Sequence, residues 1–260
     1  MGIITLATQN LYISYKNKQN TIHSIIENGN IAIENGKLTV LVGINGIGKT
    51  SLLKVLAGLH TNFTGNITLF NKNIHSYTLA EKAKYISVVF HEKFYPPILT
   101  VKEIVEIGRQ PYTDWTGKLQ EIDEQIVANA LKITEIQHLA NRYIDTLSDG
   151  QLQKMWIARA VAQAGNIMLL DEPTAHLDIC SKAEIWNLLK NIAKNEQKAI
   201  LLTSHDIDFS LQLADCILLI DQKQLLSFSP KELIQSNLLD KIFASPYFTF
   251  KNGILQLCST

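Results

Sequence analysis

Long apolar runs are missing from this chain of 260 residues. None approaches the ~18 residues that a membrane-crossing helix needs, so no span is expected. A surplus of charge is missing too. Lysine and arginine number 24, aspartate and glutamate 24, and the formal net charge is zero. That removes any bulk electrostatic pull toward nucleic acid. Cysteine is scarce: Cys180, Cys216 and Cys258 lie far apart and are odd in number. They fit reduced thiols in the cytoplasm better than a disulfide framework or a zinc site. The opening MGIITLATQN lacks a basic start followed by an apolar core, so no secretory signal is expected. No internal repeat stands out. What is present is 46% hydrophobic residues, enough for one large domain or one domain with an inserted lobe.

The hydrophobic pattern changes period along the chain. KLTVLV (37–42) reads as a buried strand, Gly43–Gly48 as a tight loop, and 49–59 as a helix with Leu52, Leu53 and Leu56 inward. The first forty residues and 65–90 carry β-branched and aromatic residues broken by Asn, Gly and Ser. They predict an antiparallel sheet. After 94–98 the pattern turns helical. Thr100 and Glu103 form a capping box, and Ile122, Ile126, Ala130 and Ile133 recur at helical spacing over 121–133. A shorter helix is expected over 136–140. From Asn166 onward strands and helices alternate: 166–171, 179–194, 198–204, 206–214 and 216–220. Such alternation predicts a mostly parallel sheet wrapped by helices. Ser229-Pro230 opens a last helix.

Three motifs carry chemistry. GINGIGKT (43–50) stands between a strand and a helix, the context a phosphate loop requires. Its glycines let backbone N–H groups converge on phosphate oxygens, and the helix start adds positive potential. Lys49 would bridge the β- and γ-phosphates, Thr50 would bind Mg²⁺, and Ser51 would reach the α-phosphate. Asp171 and Glu172 end the apolar strand IMLL, as a metal-binding acid and a catalytic base should. LSDGQ (147–151) contains a capping box, Ser148 with Gln151, for a helix over 149–164. A capped helix start also presents N–H groups to an anion, so a structural and a phosphate-facing role are compatible.

The order of these motifs resembles the ATP-binding subunit of ATP-binding-cassette (ABC) transporters, from about Tyr15 to about Pro230. The resemblance implies an α/β fold: a P-loop NTPase core, an antiparallel β subdomain and an inserted helical lobe. On one domain of 1–260, the core with its β subdomain takes 1–94 and 161–260, and the lobe takes 95–160. It implies ATP and Mg²⁺ as cofactors. Tyr15, Gly43, Asn45, Gly46, Gly48, Lys49, Thr50 and Ser51 would surround the nucleotide, Tyr15 by stacking on adenine with Tyr12 as its competitor. Thr50 and Asp171 would hold the metal. Glu172 would be the base, and His205, in TSHD, the histidine that senses the γ-phosphate. Ser148, Gly150 and Gln151 would reach the nucleotide of a second copy, with Asp149 in place of a glycine and expected to point away. Asp178, in AHLD, would cross the dimer interface, and it also suits the N-cap of the next helix.

The resemblance further implies a homodimer serving two integral-membrane permease subunits and, indirectly, an external substrate-binding protein, with no nucleic acid. The place would be peripheral, on the cytoplasmic face of the membrane. LTVKEIVEIGRQPYTDW (99–115) looks like the corresponding segment of importers for iron chelates (siderophores), haem and cobalamin. Two other readings stay open at this stage: a soluble ABC ATPase of the repair or translation type, and a regulatory nucleotide-binding scaffold.

His91 departs from the family, which usually has glutamine after such a strand. Neutral histidine can still hydrogen-bond water, whereas protonation places positive charge near Mg²⁺. Hydrolysis is therefore expected to fall as pH drops through the histidine range, and His91→Gln to flatten that fall. A pH–rate profile between about pH 5.5 and 7.5 checks this. Overlaid wild-type and variant curves would remove His91 from the reaction.

Overall fold

The computed structural model describes residues 3–16, 22–90, 98–243, 247–251 and 253–258. The chain opens with β1 (Ile4–Lys16) and β2 (Ile22–Glu34), then β3 (Leu38–Val42) and α1 (Lys49–Leu56). β4 (Phe63–Leu69), β5 (Lys72–Asn73), α2 (Leu79–Tyr85) and β6 (Ile86–Val89) follow. A helical stretch holds α3 (Val101–Ile107), α4 (Glu121–Ile133) and α5 (Asp149–Ala162). Strands and helices then alternate through β7 (Ile167–Leu170), α6 (Ile179–Asn195), β8 (Ala199–Ser204), α7 (Ile207–Leu213) and β9 (Cys216–Asp221). β10 (Gln224–Phe228), α8 (Pro230–Gln235), α9 (Leu238–Ile242), β11 (Phe248–Lys251) and β12 (Ile254–Leu257) complete the order.

Two sheets organise the α/β core. β2, β1, β4 and β5 form an antiparallel sheet in that order. The second sheet has the order β10-β9-β3-β8-β7-β6. It is parallel from β9 to β6, and β10 closes its edge antiparallel to β9. The parallel strands are buried on both faces, which is why they read as unbroken apolar runs. Alternation still sorts their side chains. Val40, Val42, Met168, Leu170, Ile200 and Leu202 share one core with α5 and α6. Leu41, Ile167, Leu169, Ala199 and Leu201 face the other core, with Leu52, Leu53 and Leu56 of α1 and the inner face of the antiparallel sheet. A one-residue slip of any central strand would exchange these sets, so register is strongly fixed.

Local chemistry explains several helix starts. Thr100 with Glu103, Ser148 with Gln151 and Ser229 with Glu232 are all formed capping boxes, and Pro230 occupies the first turn of α8. The structure differs from expectation in five places. The stretch 65–90 is not all strand: Thr78 and Glu81 cap α2, a helix with no buried residue, and β6 belongs to the parallel sheet. Helix α1 ends at Leu56, and 136–140 holds only a short 3-10 turn, Gln137–Leu139. In α4 the buried face is Asp123, Val127, Ala130 and Leu131, while Ile122 is exposed. Beyond α8 come α9 and the hairpin β11–β12, so Ser229-Pro230 does not open the last helix.

Asp123 explains the rotation of α4. It is 4% exposed and accepts a 2.9 Å ion-paired hydrogen bond from Arg109 Nε. Arg109 also donates to the Ala162 carbonyl at 2.7 Å, and its guanidinium lies 4.0 Å from the Tyr112 ring centre. One cation thus joins the ends of α3 and α5 to the start of α4. Gly108 lets α3 come this close, because a Cβ there would collide with the Arg159 carbonyl. Among the described residues, no helix is long and apolar enough to cross a membrane.

Candidate active site

Parallel strands end together, and that edge is where open α/β sheets collect ligands. Val42 pairs with Ser204, and Leu170 with Leu202. The loop after β3, the acids after β7 and the histidine after β8 are therefore neighbours.

The loop 43–48 is shaped by its glycines. Gly48 has φ 105°, in the region that favours glycine, and a Cβ there would strike Ile25 Cγ2. It caps α1 without a side chain, leaving first-turn N–H groups aimed at the loop. Lys49 is 5% exposed. Its ammonium donates to the carbonyls of Gly43 at 2.9 Å and Ile44 at 3.3 Å. Burial holds its pKa below the usual lysine value, against the opposing pull of Glu172 and Asp171.

The two acids are held differently. Asp171 is buried; its Oδ2 accepts from the Thr50 hydroxyl at 2.7 Å and its Oδ1 from the Thr203 hydroxyl at 2.7 Å. Glu172 sits at φ 48° and donates its backbone N–H to Thr203 Oγ1 at 2.8 Å. Its Oε1 lies 2.7 Å from His205 Nε2 and 3.8 Å from Lys49 Nζ. His205 Nε2 is also 3.2 Å from Lys49 Nζ. A neutral ring nitrogen either donates to the carboxylate or accepts from the ammonium, so its tautomer selects the partner. The oxygen pair from Thr50 and Asp171 suits a hard cation such as Mg²⁺, which takes few protein ligands and completes its shell with phosphate and water.

Lys49, Thr50, Asp171, Glu172 and His205 therefore form one cluster. Ser51 stands apart from it in a cleft shared with Tyr15, Ile25, Val55, His60 and Asn62. Tyr15 is 51% exposed and stacks on His23 with ring centres 5.4 Å apart, while Tyr12 is half-buried. Gly43 is buried at the end of β3, and Asn45 and Gly46 are exposed at the loop tip. The polar groups of LSDGQ are turned on each other. Gln151 N–H donates to Ser148 Oγ at 3.3 Å, Ser148 N–H donates to Gln151 Oε1 at 3.2 Å, and Asp149 is exposed. This helix start lies beside α6, joined by a 2.7 Å Lys154–Glu184 ion pair. Asp178 caps α6, accepting from Cys180 N–H, Ser181 N–H and the Ser181 hydroxyl, the last of which contributes most to its lowered pKa. His91 lies outside the described residues.

Sequence reasoning missed Thr203 and a second polar link. Asp206 accepts from the Thr174 hydroxyl at 2.9 Å and from Lys182 at 2.7 Å. It ties the loop after Glu172 to the residue after His205. A threonine inside an apolar strand reads as packing, and Asp206 meets Thr174 and Lys182 only through the fold, so neither link is visible in the sequence.

The family described as ABC transporter matches residues 26–175. A petrobactin import ATP-binding protein of Bacillus anthracis is 37% identical over 92% of this chain and 86% of its own. The chain belongs to the ABC transporter family. Its fold matches an inward-facing ABC transporter assigned to the metal-chelate type, with a TM-score of 0.80, 26% identity and coverage of 97% of this chain and 95% of that one. It also matches a dimeric bacterial ABC transporter cassette, with a TM-score of 0.74, 25% identity and coverage of 86% and 98%. This ABC protein is an ATP-binding, ATP-hydrolysing subunit of the transport class. The soluble repair or translation class is not favoured.

Proposed function

We propose that this chain powers import of an iron chelate of the siderophore kind, as a homodimer docked under two separate membrane permease subunits. The observation that carries the reading is the division of the site. Lys49, Thr50, Asp171, Glu172 and His205 stand in one cluster. Ser148 and Gln151 cap a helix whose polar start is bonded only within itself in the hydrogen bonds they make. A second copy, packed head to tail, supplies that helix start to complete the site. The core with its β subdomain takes 1–94 and 161–260, and the helical lobe bearing LSDGQ takes 95–160.

Each residue then has a task. Backbone N–H groups of 43–50 and the Lys49 ammonium bind the β- and γ-phosphates. Thr50 and Asp171 hold Mg²⁺, which supplies neutralising charge to the phosphate oxygens. Ser51 meets the α-phosphate, and Tyr15 stacks on adenine. Glu172 takes a proton from the attacking water as its oxygen bonds to the γ-phosphorus and the bond to the β-phosphate oxygen breaks. His205 and Lys49 fix the Glu172 carboxylate. Ser148, Gly150 and Gln151 face the partner's γ-phosphate, with Asp178 at the interface. ATP binding favours the closed dimer and hydrolysis the open one, a ligand-driven shift of population. The chelate class rests on the petrobactin and metal-chelate relatives and on the segment 99–115.

Affinity capture of the tagged chain from native membranes in mild detergent, followed by mass spectrometry, tests the reading. A polytopic permease recovered in near-equal amount is expected, and its identity narrows the cargo. Recovery alone or with water-soluble partners only would overturn the transport assignment.

A further inference from the structure

Thr203 is fully buried in the middle of the parallel sheet. Alternation along β8 turns it to the same face as Leu201, and alternation along β7 turns Asp171 to the same face as Leu169. That face is covered by α1, which carries Thr50. The Thr203 hydroxyl uses both of its capacities there. It donates to Asp171 Oδ1 at 2.7 Å and accepts the Glu172 N–H at 2.8 Å. Asp171 Oδ2 is taken by Thr50 at 2.7 Å, so the carboxylate is held from both sides. Glu172 has the left-handed φ of 48°, which costs a non-glycine residue free energy and needs an anchor. Its N–H has that anchor in Thr203.

We infer that Thr203 is a positioning residue for hydrolysis. One hydroxyl sets the metal-side carboxylate and the backbone of the base together. Its hydroxyl is engaged by Asp171 and by the Glu172 N–H, and it acts through those two residues. The inference rests on the roles given to those acids above. Its physical content is geometric: reacting groups misplaced by about 1 Å lose on the order of 10²-fold in rate.

The experiment compares purified wild type, Thr203→Val, Thr203→Ser and Glu172→Gln. Turnover, KM for ATP, and the Mg²⁺ concentration giving half-maximal nucleotide binding are measured, with melting temperature as a check on folding. Valine keeps the shape and removes both hydrogen bonds, whereas serine keeps the hydroxyl. T203V is expected to lose turnover by about 10- to 100-fold and to need about 10-fold more Mg²⁺. Its KM for ATP should change little, because Lys49 and the phosphate loop are untouched. T203S should stay within about 3-fold of wild type, since the oriented donor is retained. T203V with wild-type turnover and Mg²⁺ dependence overturns the inference, and so does T203S impaired as deeply as T203V. If T203V does not fold, Thr203→Ala is read in its place by the same criteria. E172Q separates the two levels. A slow E172Q beside a normal T203V overturns the positioning role alone, and an E172Q at wild-type rate overturns the reading on which it rests.

Discussion

Glu172→Gln is expected to bind ATP and close its dimer as the wild type does, yet hydrolyse ATP about 10²- to 10⁴-fold more slowly. The loss corresponds to roughly 3–5 kcal/mol of transition-state stabilisation. The substitution keeps the size of the side chain and removes its capacity to accept a proton as an anion. The surroundings argue that little else changes. The backbone of residue 172 is anchored through its N–H to Thr203, not through its side chain. Lys49 keeps the Gly43 and Ile44 carbonyls, so the loop 43–48, proposed to bind phosphate, has its own support. Among the described residues, the contacts altered are those of Oε1 with His205 and Lys49. Removing a negative charge near the phosphates should also lengthen the life of the closed dimer. Steady-state hydrolysis and ATP-dependent dimerisation by size-exclusion chromatography measure the two effects separately. A variant with wild-type turnover would take the base role away from Glu172.

The same residues show what could be read before the fold was seen. The strand–loop–helix around Lys49 and the capping residues Thr100, Ser148, Asp178 and Ser229 are local signals. Each depends on a few adjacent residues and is found in the structure, although α1 ends three residues early. Helix α2 carried such a signal in Thr78 and Glu81, but its sequence buries nothing and has no apolar stripe to read. The strand-like residues around it dominated the reading. Ile122 misled for a related reason. Apolar periodicity sees only apolar residues, and the face of α4 is set by a buried aspartate whose partner lies in another segment. The site divided along the same line. Motifs placed Lys49, Asp171, Glu172 and His205 at strand ends, and the structure brings these four together. Thr203 and Asp206 acquire their meaning from neighbours in space. Thr203 is 32 residues from Asp171, and nothing in its own stretch of chain points there.

Arg109→Met is expected to destabilise the chain by about 3–5 kcal/mol. The reason is what the substitution leaves behind. Asp123 is as buried as Arg109, and without the guanidinium its charge has, among the described residues, the Gln120 N–H at 3.0 Å. The Ala162 carbonyl at the end of α5 loses its donor as well. Replacing both partners, as Arg109→Met with Asp123→Leu, should recover much of the loss, because two well-packed apolar groups avoid the uncompensated charge. Chemical denaturation of the single and double variants reads this directly. A single variant within about 0.5 kcal/mol of wild type would show the pair to be dispensable. Acid should mimic the substitution. The Gln120 N–H first, and the Arg109 guanidinium after it, hold the Asp123 carboxyl below its ordinary value of 3.8. A depressed carboxyl contributes stability above that ordinary value and loses it as pH falls through the lower, folded one. The margin of the wild type over R109M should therefore be largest toward neutral pH and shrink as acid protonates Asp123, first in the variant, whose carboxyl has lost the guanidinium, and last in the wild type. Function should follow stability in a particular way. Arg109 ties down the end of the helix that begins with LSDGQ, while the loop proposed to bind phosphate lies on a different core. R109M is thus expected to keep its affinity for ATP and lose turnover, because the surface offered to the second copy is no longer held in one orientation.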